Sequence, residues 1–139
     1  MKKRIFNEIK RSKRITEEHF DNESRILTFL YQDLRVISLK IPYEYPFRPP
    51  FDLQVNFIPI NYYSMGNKSM LSKYLNVKCL CCSTILCSHN WNVQKNLEKI
   101  CEEYIYFKDL INASIIFNHI ELTNQLPEDM IKIIAEFLN

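Results

Sequence analysis

A proline-rich segment in the first half of the chain is the feature that most constrains its fold. Residues 43–50 read Tyr-Glu-Tyr-Pro-Phe-Arg-Pro-Pro and contain three prolines and three aromatic residues. Proline lacks the backbone N–H that a sheet ladder needs, and its ring fixes φ, so this segment cannot extend a central strand. We therefore expect the chain to leave the sheet here as a rigid, extended crossing.

Alternating apolar and polar residues predict an antiparallel meander around that crossing. Residues 25–31 and 34–41 are rich in β-branched and large apolar side chains and are separated by a short polar turn, which predicts a hairpin. Residues 53–57 alternate with a period of two and predict a third strand. Residues 15–20 are a further candidate for an edge strand.

Apolar residues at helical spacing predict helices at both ends of the chain. Residues 2–13 are amphipathic, and residues 96–110 and 112–120 predict two helices in the second half. Pro127, followed by two acidic residues, predicts the first turn of a last amphipathic helix.

Length and composition favour one folded domain. The chain has 139 residues, of which 47% are hydrophobic and 24% are charged, as in globular proteins. A helix, a meander, an irregular loop and further helices give the α+β class. We divide the domain, residues 1–139, into a basic helix (1–14), the meander with its crossing (25–57), a cysteine-rich loop (58–95) and helices (96–139).

The sequence predicts a cytoplasmic or nuclear protein that is not secreted and has no membrane partner. No apolar run approaches the length of a membrane span, and residues 1–8 lack the apolar core of a signal peptide. In a reducing compartment we expect the five cysteines to be reduced, and so available for thiol chemistry or metal binding.

The charge is concentrated at the N-terminus. The net charge is only +2, but the first fourteen residues carry seven basic side chains against one acid, Glu8. Such a face can attract an acidic protein partner, although a solvated helix face is the alternative. Nucleic-acid binding ranks last because the basic run lacks a set of interleaved aromatic residues; Phe6 is the one aromatic residue among the first fourteen. The candidate partner-binding residues are Lys3, Arg4, Lys10 and Arg11.

The order of these elements resembles that of the ubiquitin-conjugating enzymes. The shared features are the basic first helix, the meander, the Tyr-Pro-Phe-x-Pro-Pro crossing, then Cys79 followed by Leu80, and Trp91 further along. The resemblance spans roughly residues 3–110 and implies the UBC-like fold. It also implies a transferase that works with ubiquitin or a ubiquitin-like protein, its activating enzyme and a ligase.

The resemblance to that family implies that Cys79 accepts the modifier as a thioester and passes it to a lysine. A thiolate suits both steps because it is a good nucleophile and a good leaving group. The basic helix would contact the activating enzyme. Cys82 is the alternative nucleophile, since its distance along the chain from Trp91 is closer to the family pattern.

The chain departs from the family in lacking a His-Pro-Asn motif before the cysteine. Asn61, Asn67 and Asn76 are the candidates to replace that asparagine, and the sequence does not choose among them. Losing one oxyanion donor can cost roughly a hundredfold or more in rate. A catalytically inactive UBC-like interaction module is therefore the alternative function.

Zinc binding is the competing chemistry for the cysteine-rich loop. Cys79, Cys82, Cys87 and His89 lie within eleven residues, and thiolate and imidazole are the ligands of tetrahedral structural zinc sites. Zinc would order the loop, and Cys79 would then be a ligand rather than a nucleophile. Reduced thiols without metal remain the simpler alternative.

Overall fold

The computed structural model describes residues 2–32, 35–62 and 80–123, with side chains from Lys3 to Ile116 within those ranges. This part of the chain is α+β, as predicted, with two α-helices and an antiparallel five-stranded sheet in the order β1-β2-β3-β4-β5. The elements are α1 (Lys2–Arg11), β1 (Ile15–Phe20), β2 (Ile26–Tyr31), β3 (Arg35–Lys40), β4 (Phe51–Val55), β5 (Ile58–Pro59), a short 3-10 helix (Leu80–Cys82) and α2 (Leu97–Thr123).

The chain divides into two compact units. Residues 1–61 and 84–104 form the first unit, and residues 62–83 and 105–139 form the second. The first unit contains α1, the sheet and the beginning of α2. The 3-10 helix and the rest of α2 belong to the second.

The core of the first unit lies on one face of the sheet. Strands β2 and β3 pair in continuous register from Ile26 opposite Lys40 to Tyr31 opposite Arg35. The strand period of two then sends alternate side chains inward, and burying each large one contributes about 1.5–3 kcal/mol. The fully buried members include Leu27, Phe29, Tyr31, Ile37 and Leu39, and Ile5 and Ile9 of α1 are buried as well.

The candidate edge strand is present as β1, and it is bulged. Its register with β2 shifts between Thr16 and His19, and Glu17 between them has a φ of 51°. A bulge of this kind twists an edge strand and so discourages pairing with another chain.

The third predicted strand has the expected length but begins and ends two residues earlier, at Phe51 and Val55, and a fifth strand follows it. The strand β4 ends at Val55, where the sequence predicted a strand to 57, and Ile58 pairs back onto Val55. Asn56 and Phe57 form the two-residue turn with φ values of 50° and 68°, as in a type I′ hairpin. Asn56 anchors this turn, because its backbone N–H donates to the Val36 carbonyl oxygen at 2.8 Å and its Oδ1 accepts from the Val36 N–H at 2.9 Å.

The two helices predicted at 96–110 and 112–120 are one continuous helix, α2. No glycine or proline interrupts residues 97–123, so nothing in the backbone forces a break. Asn96 caps its start, with Oδ1 accepting from the Lys99 N–H at 2.9 Å. The last predicted helix, from Pro127, lies outside the described residues. Within the described part of the chain, no helix is long and apolar enough to cross a membrane.

Candidate functional site

The proline-rich crossing packs against Trp91. The Trp91 Nε1–H donates a 2.7 Å hydrogen bond to the Pro46 carbonyl oxygen, and its ring lies 6.1 Å from the ring of Tyr45, centroid to centroid. Both aromatic side chains are buried. Two motifs that are far apart in sequence therefore form one packed element.

The sequence predicted an extended crossing, but the segment folds into successive turns instead. The Phe47 N–H donates to the Glu44 carbonyl oxygen at 2.7 Å, and the Tyr45 N–H donates to that of Pro42 at 3.2 Å. The prolines still keep the segment out of the sheet, yet they permit turns, which supply the backbone bonds that the sheet no longer provides.

The carboxylate of Glu8 joins α1 to the crossing and to α2. Its Oε1 accepts from the Tyr45 hydroxyl at 2.6 Å and from Arg4 Nε at 2.6 Å. Its Oε2 accepts from the Leu97 N–H, at the start of α2, at 3.1 Å. Burial, together with the bond to Glu8, raises the pKa of the Tyr45 hydroxyl. Sequence reasoning missed this role, although the single acid among seven basic residues was a signal.

Because Glu8 points inward, the exposed face of α1 is basic. Lys3, Lys10 and Arg11 are exposed, and their role as a partner-binding face stays a prediction. Arg4 is placed differently, because its guanidinium also donates to the Val93 carbonyl oxygen at 2.8 Å. The hydrogen bond with Glu8 raises the pKa of Arg4. Arg4 therefore holds α1 in place, and the other three remain available to a partner.

Two aromatic side chains of the crossing are exposed. Tyr43 is 75% and Phe47 is 78% exposed. The Arg25 guanidinium lies 3.9 Å from the Tyr43 ring centroid, and Arg25 Nε donates to the Ile41 carbonyl oxygen at 2.8 Å. The Arg25 guanidinium therefore covers one face of the Tyr43 ring, and Phe47 adds exposed apolar surface to the same segment.

The predicted nucleophile, Cys79, lies outside the described residues. The 3-10 helix begins directly after it, with Leu80 buried and the Ser83 N–H donating to the Leu80 carbonyl oxygen at 3.1 Å. Cys82, the alternative nucleophile, is exposed. Cys81 is disulfide-bonded, which departs from the expectation that all five cysteines are reduced. A reduction step must therefore precede any thiol assay.

The remaining cysteines differ in accessibility. Cys87 is a free, half-buried thiol, and Cys101 is free and buried. Burial raises the pKa of the Cys101 thiol, and the nearby carboxylates of Glu98 and Glu102 raise it further. Cys101 is therefore held as a neutral, unreactive thiol.

The zinc ligand set is only partly described, since Cys79 lies outside. His89 is exposed, and Cys87 and His89 belong to the first unit while Cys82 belongs to the second. Within residues 2–32, 35–62 and 80–123 no group of three or more Cys, His, Asp or Glu side chains is arranged to hold a metal ion. A zinc site that includes Cys79 stays a prediction.

No protein-family model, curated protein or solved structure matches this chain.

Among the candidate replacements for the missing asparagine, only Asn61 is described. It is exposed and follows Ile60, whose N–H donates to the Leu53 carbonyl oxygen at 2.9 Å. Asn67 and Asn76 lie outside the described residues. Within the first unit, the described residues offer a basic helix face and exposed aromatic side chains.

Proposed function

We propose that this chain is a ubiquitin-conjugating-like transferase with a UBC-like fold. In this proposal Cys79 accepts ubiquitin or a ubiquitin-like protein from its activating enzyme and transfers it to a lysine. The Cys79 thiolate attacks the thioester carbonyl, and the thiolate of the activating enzyme leaves. A lysine amine then attacks the new thioester, loses a proton and releases the Cys79 thiolate.

The observation that carries the proposal is the hydrogen bond from Trp91 Nε1 to the Pro46 carbonyl oxygen at 2.7 Å. The resemblance rests on the proline-rich crossing and on a tryptophan that follows the Cys-Leu pair, and this bond brings the two together. A chance match between separate short motifs gives no reason for them to pack against each other. The contact of Tyr45 with Trp91 supports the same conclusion.

Two further features support a protein-transfer role. The exposed cations of α1, Lys3, Lys10 and Arg11, suit an acidic surface on the activating enzyme. The exposed rings of Tyr43 and Phe47 suit a ligase, because exposed aromatic side chains are enriched at protein interfaces.

The second candidate is a catalytically inactive UBC-like interaction module. The absent His-Pro-Asn motif favours it, as does the disulfide at Cys81, because a disulfide consumes two thiols and leaves fewer for transfer chemistry. The same basic and aromatic surfaces would then bind partners without transfer. A zinc-ordered loop belongs to this second candidate.

A charging assay separates the two candidates. The reduced protein is mixed with activating enzyme, ATP and ubiquitin, and adducts are resolved on a nonreducing gel. We expect a thiol-sensitive adduct that is lost in Cys79→Ala and retained in Cys82→Ala. Cys101→Ala is the matched control, because that thiol is buried.

The alternative outcomes are equally informative. Loss of the adduct in Cys82→Ala alone would move the nucleophile to Cys82. If the wild-type protein is folded by circular dichroism and forms no adduct with ubiquitin or with several ubiquitin-like proteins, the enzyme proposal is wrong. Zinc measured in the purified, untagged protein would then test whether metal orders the loop.

A further inference from the structure

A small apolar groove lies between α1 and the edge strand β1. Its volume is about 260 Å³, just below the range of about 300–1,000 Å³ that is typical of sites for drug-sized ligands. The apolar side chains that line it are Ile5, Phe6, Ile9, Phe20 and Leu27. All of them belong to the first unit. The groove therefore has room for a ligand of one aromatic ring and a short chain.

The apolar residues of the groove differ in exposure. Ile5, Ile9 and Leu27 are buried in the core of the first unit, whereas Phe6 is 49% exposed. Core side chains are close-packed and hold fixed positions, so the groove is preformed. A ligand that covers these side chains and the Phe6 ring removes apolar surface from water, which favours binding.

The bulge in β1 places an acid at this groove. The register of β1 with β2 shifts between Thr16 and His19, so that two residues of β1, Glu17 and Glu18, lie opposite Phe29 alone. Of these two acids, Glu18 lines the groove. Bulges of edge strands re-aim side chains and are common beside functional sites. Here the bulge gives an apolar groove a carboxylate.

Glu18 gives the lining of the groove its negative charge. It is the only carboxylate among the described residues that line the groove, and the other polar side chains there are His19 and Asn22. The exposed cations of α1, Lys3 and Lys10, do not line the groove, and salt screens their effect at a distance. A ligand in the groove therefore meets a negative charge, and the complementary charge is positive.

We propose that this groove binds a small amine with an apolar body, such as an arylalkylamine. The aromatic body covers the apolar lining, and the ammonium group pairs with the Glu18 carboxylate. His19 and Asn22 have acceptor atoms that can take further ammonium N–H groups. The occupant is a free small molecule, and this inference does not depend on the proposed function.

The apolar lining should set the affinity of the groove, and Glu18 should set its specificity. Because Glu18 is exposed, water and salt screen its charge, so removing the carboxylate should weaken amine binding only about twofold to fivefold. A carboxylate ligand with the same body meets a like charge and should bind more weakly than the amine. Phenethylamine and 3-phenylpropionate form such a pair, and 2-phenylethanol is the neutral analogue.

The test is a titration of the isotope-labelled full chain with these compounds, followed by amide chemical shifts at about 0.15 M salt. We expect saturable shifts at the residues of α1, β1 and the start of β2. The Kd for phenethylamine should be about 1 mM or tighter. The Kd for 3-phenylpropionate should be severalfold weaker, with 2-phenylethanol between the two.

Two substitutions separate the parts of the site. Glu18→Gln should remove the preference for the amine over the acid, and Phe6→Ala should weaken the binding of all the compounds. The matched controls are Glu17→Gln, which changes the neighbouring exposed acid of β1, and Phe57→Ala, which removes an exposed ring from the turn between β4 and β5. Both controls should bind like the wild type.

Any of three results would overturn the inference. Tighter binding of 3-phenylpropionate than of phenethylamine would mean that the cations of α1, rather than Glu18, select the ligand. A preference for the amine that persists in Glu18→Gln would assign it to another group. Shifts that do not saturate by about 10 mM, or that lie away from α1 and β1, would exclude a site for amines in this groove. Glu18→Gln exchanges an exposed acid for its amide, so it tests the site even if Phe6→Ala alters the fold.

Discussion

Trp91 donates its indole N–H to the carbonyl oxygen of Pro46 across 2.7 Å, and so attaches the crossing to the segment that precedes α2. Because both residues belong to the first unit, this bond contributes to the stability of that unit. Trp91 is buried and is the only tryptophan of the chain, so its fluorescence reports unfolding.

Trp91→Phe is expected to destabilise the protein by about 1–3 kcal/mol, because the Pro46 carbonyl oxygen loses its donor and the smaller ring leaves space. Urea unfolding followed by circular dichroism measures the change, since the variant has no tryptophan. Tyr106→Phe, at an 83% exposed position, is the control and should leave the midpoint unchanged. An unaltered midpoint for Trp91→Phe would contradict the role of the bond.

Glu8→Gln is expected to cost about 1–3 kcal/mol, because Arg4 loses its carboxylate and one of the remaining donors meets an NH₂ group. The same urea midpoints measure the loss. Glu17→Gln, a carboxylate exposed on β1, is the matched control. Equal midpoints for the two variants would show that Glu8 does not join α1 to the rest of the first unit.

Phe57→Gly is expected to stabilise the protein by about 1 kcal/mol. Phe57 has a φ of 68°, which costs most residues with a Cβ about 1–2 kcal/mol and costs glycine little. The side chain is 75% exposed, so little burial is lost. Phe57→Ala removes the ring but keeps the Cβ and should bring no gain. A melting temperature that rises equally in both variants would assign the effect to the ring rather than to the backbone.

Stability is expected to fall at alkaline pH. The folded protein raises the pKa values of Tyr45, Tyr31 and Cys101, in each case chiefly by burial. A raised pKa means that the neutral form is favoured in the folded state. The resulting stability is present below the unfolded-state pKa, about 8.5 for cysteine and about 10 for tyrosine, and is lost as pH rises above it.

Urea midpoints at pH 7, 9 and 10.5 test this expectation. Each group contributes a slope of up to about 1.4 kcal/mol per pH unit once its unfolded form ionises. Cys101→Ala should flatten the decline between pH 8.5 and 10, and Tyr45→Phe should flatten it above pH 10. A wild-type midpoint that stays constant to pH 10.5 would contradict the burial of these groups.

Charge reversal on α1 tests the partner face. Under the proposed function, Lys10→Glu should raise the KM for the activating enzyme severalfold at low salt, and the difference should shrink as salt screens the charge. Lys40→Glu changes the same charge on an exposed residue of β3 and is the control. Equal effects of the two substitutions would indicate a response to net charge rather than a docking face.

The strands β2 and β3 were predictable because their residues are rich in β-branched and large apolar side chains. Residues 25–31 and 34–41 differ from β2 and β3 by one residue at the described ends. The hairpin at Asn56 and Phe57 was not, because its turn lacks the glycine that normally marks two positive φ angles. Phe57 is unfavourable at a positive φ, so its identity does not predict this turn. The pairing of β4 with β5 sets its conformation instead.

The site was predictable only where an uncommon residue type marks it in the sequence. A tryptophan and a cluster of prolines each occur once in this chain. The order of Trp91 and the proline-rich crossing suggested that they act together. The bonds of Glu8 to Tyr45 and Leu97 link residues far apart in the chain, and Glu8 is one of sixteen acidic residues. Its place as the single acid among seven basic residues is a local signal, but that signal does not indicate which residues the carboxylate contacts.

The contacts of Glu8 also set an order of events during synthesis. The helix α1 leaves the ribosome before the residues that it contacts, because Tyr45 lies 37 residues later and Leu97 lies 89 residues later. Translation adds about 5–20 residues per second. Glu8, the one acid of α1, therefore lacks these hydrogen-bond partners for several seconds. Until then the apolar side of α1, Ile5 and Ile9, is open to chaperones and to other nascent chains.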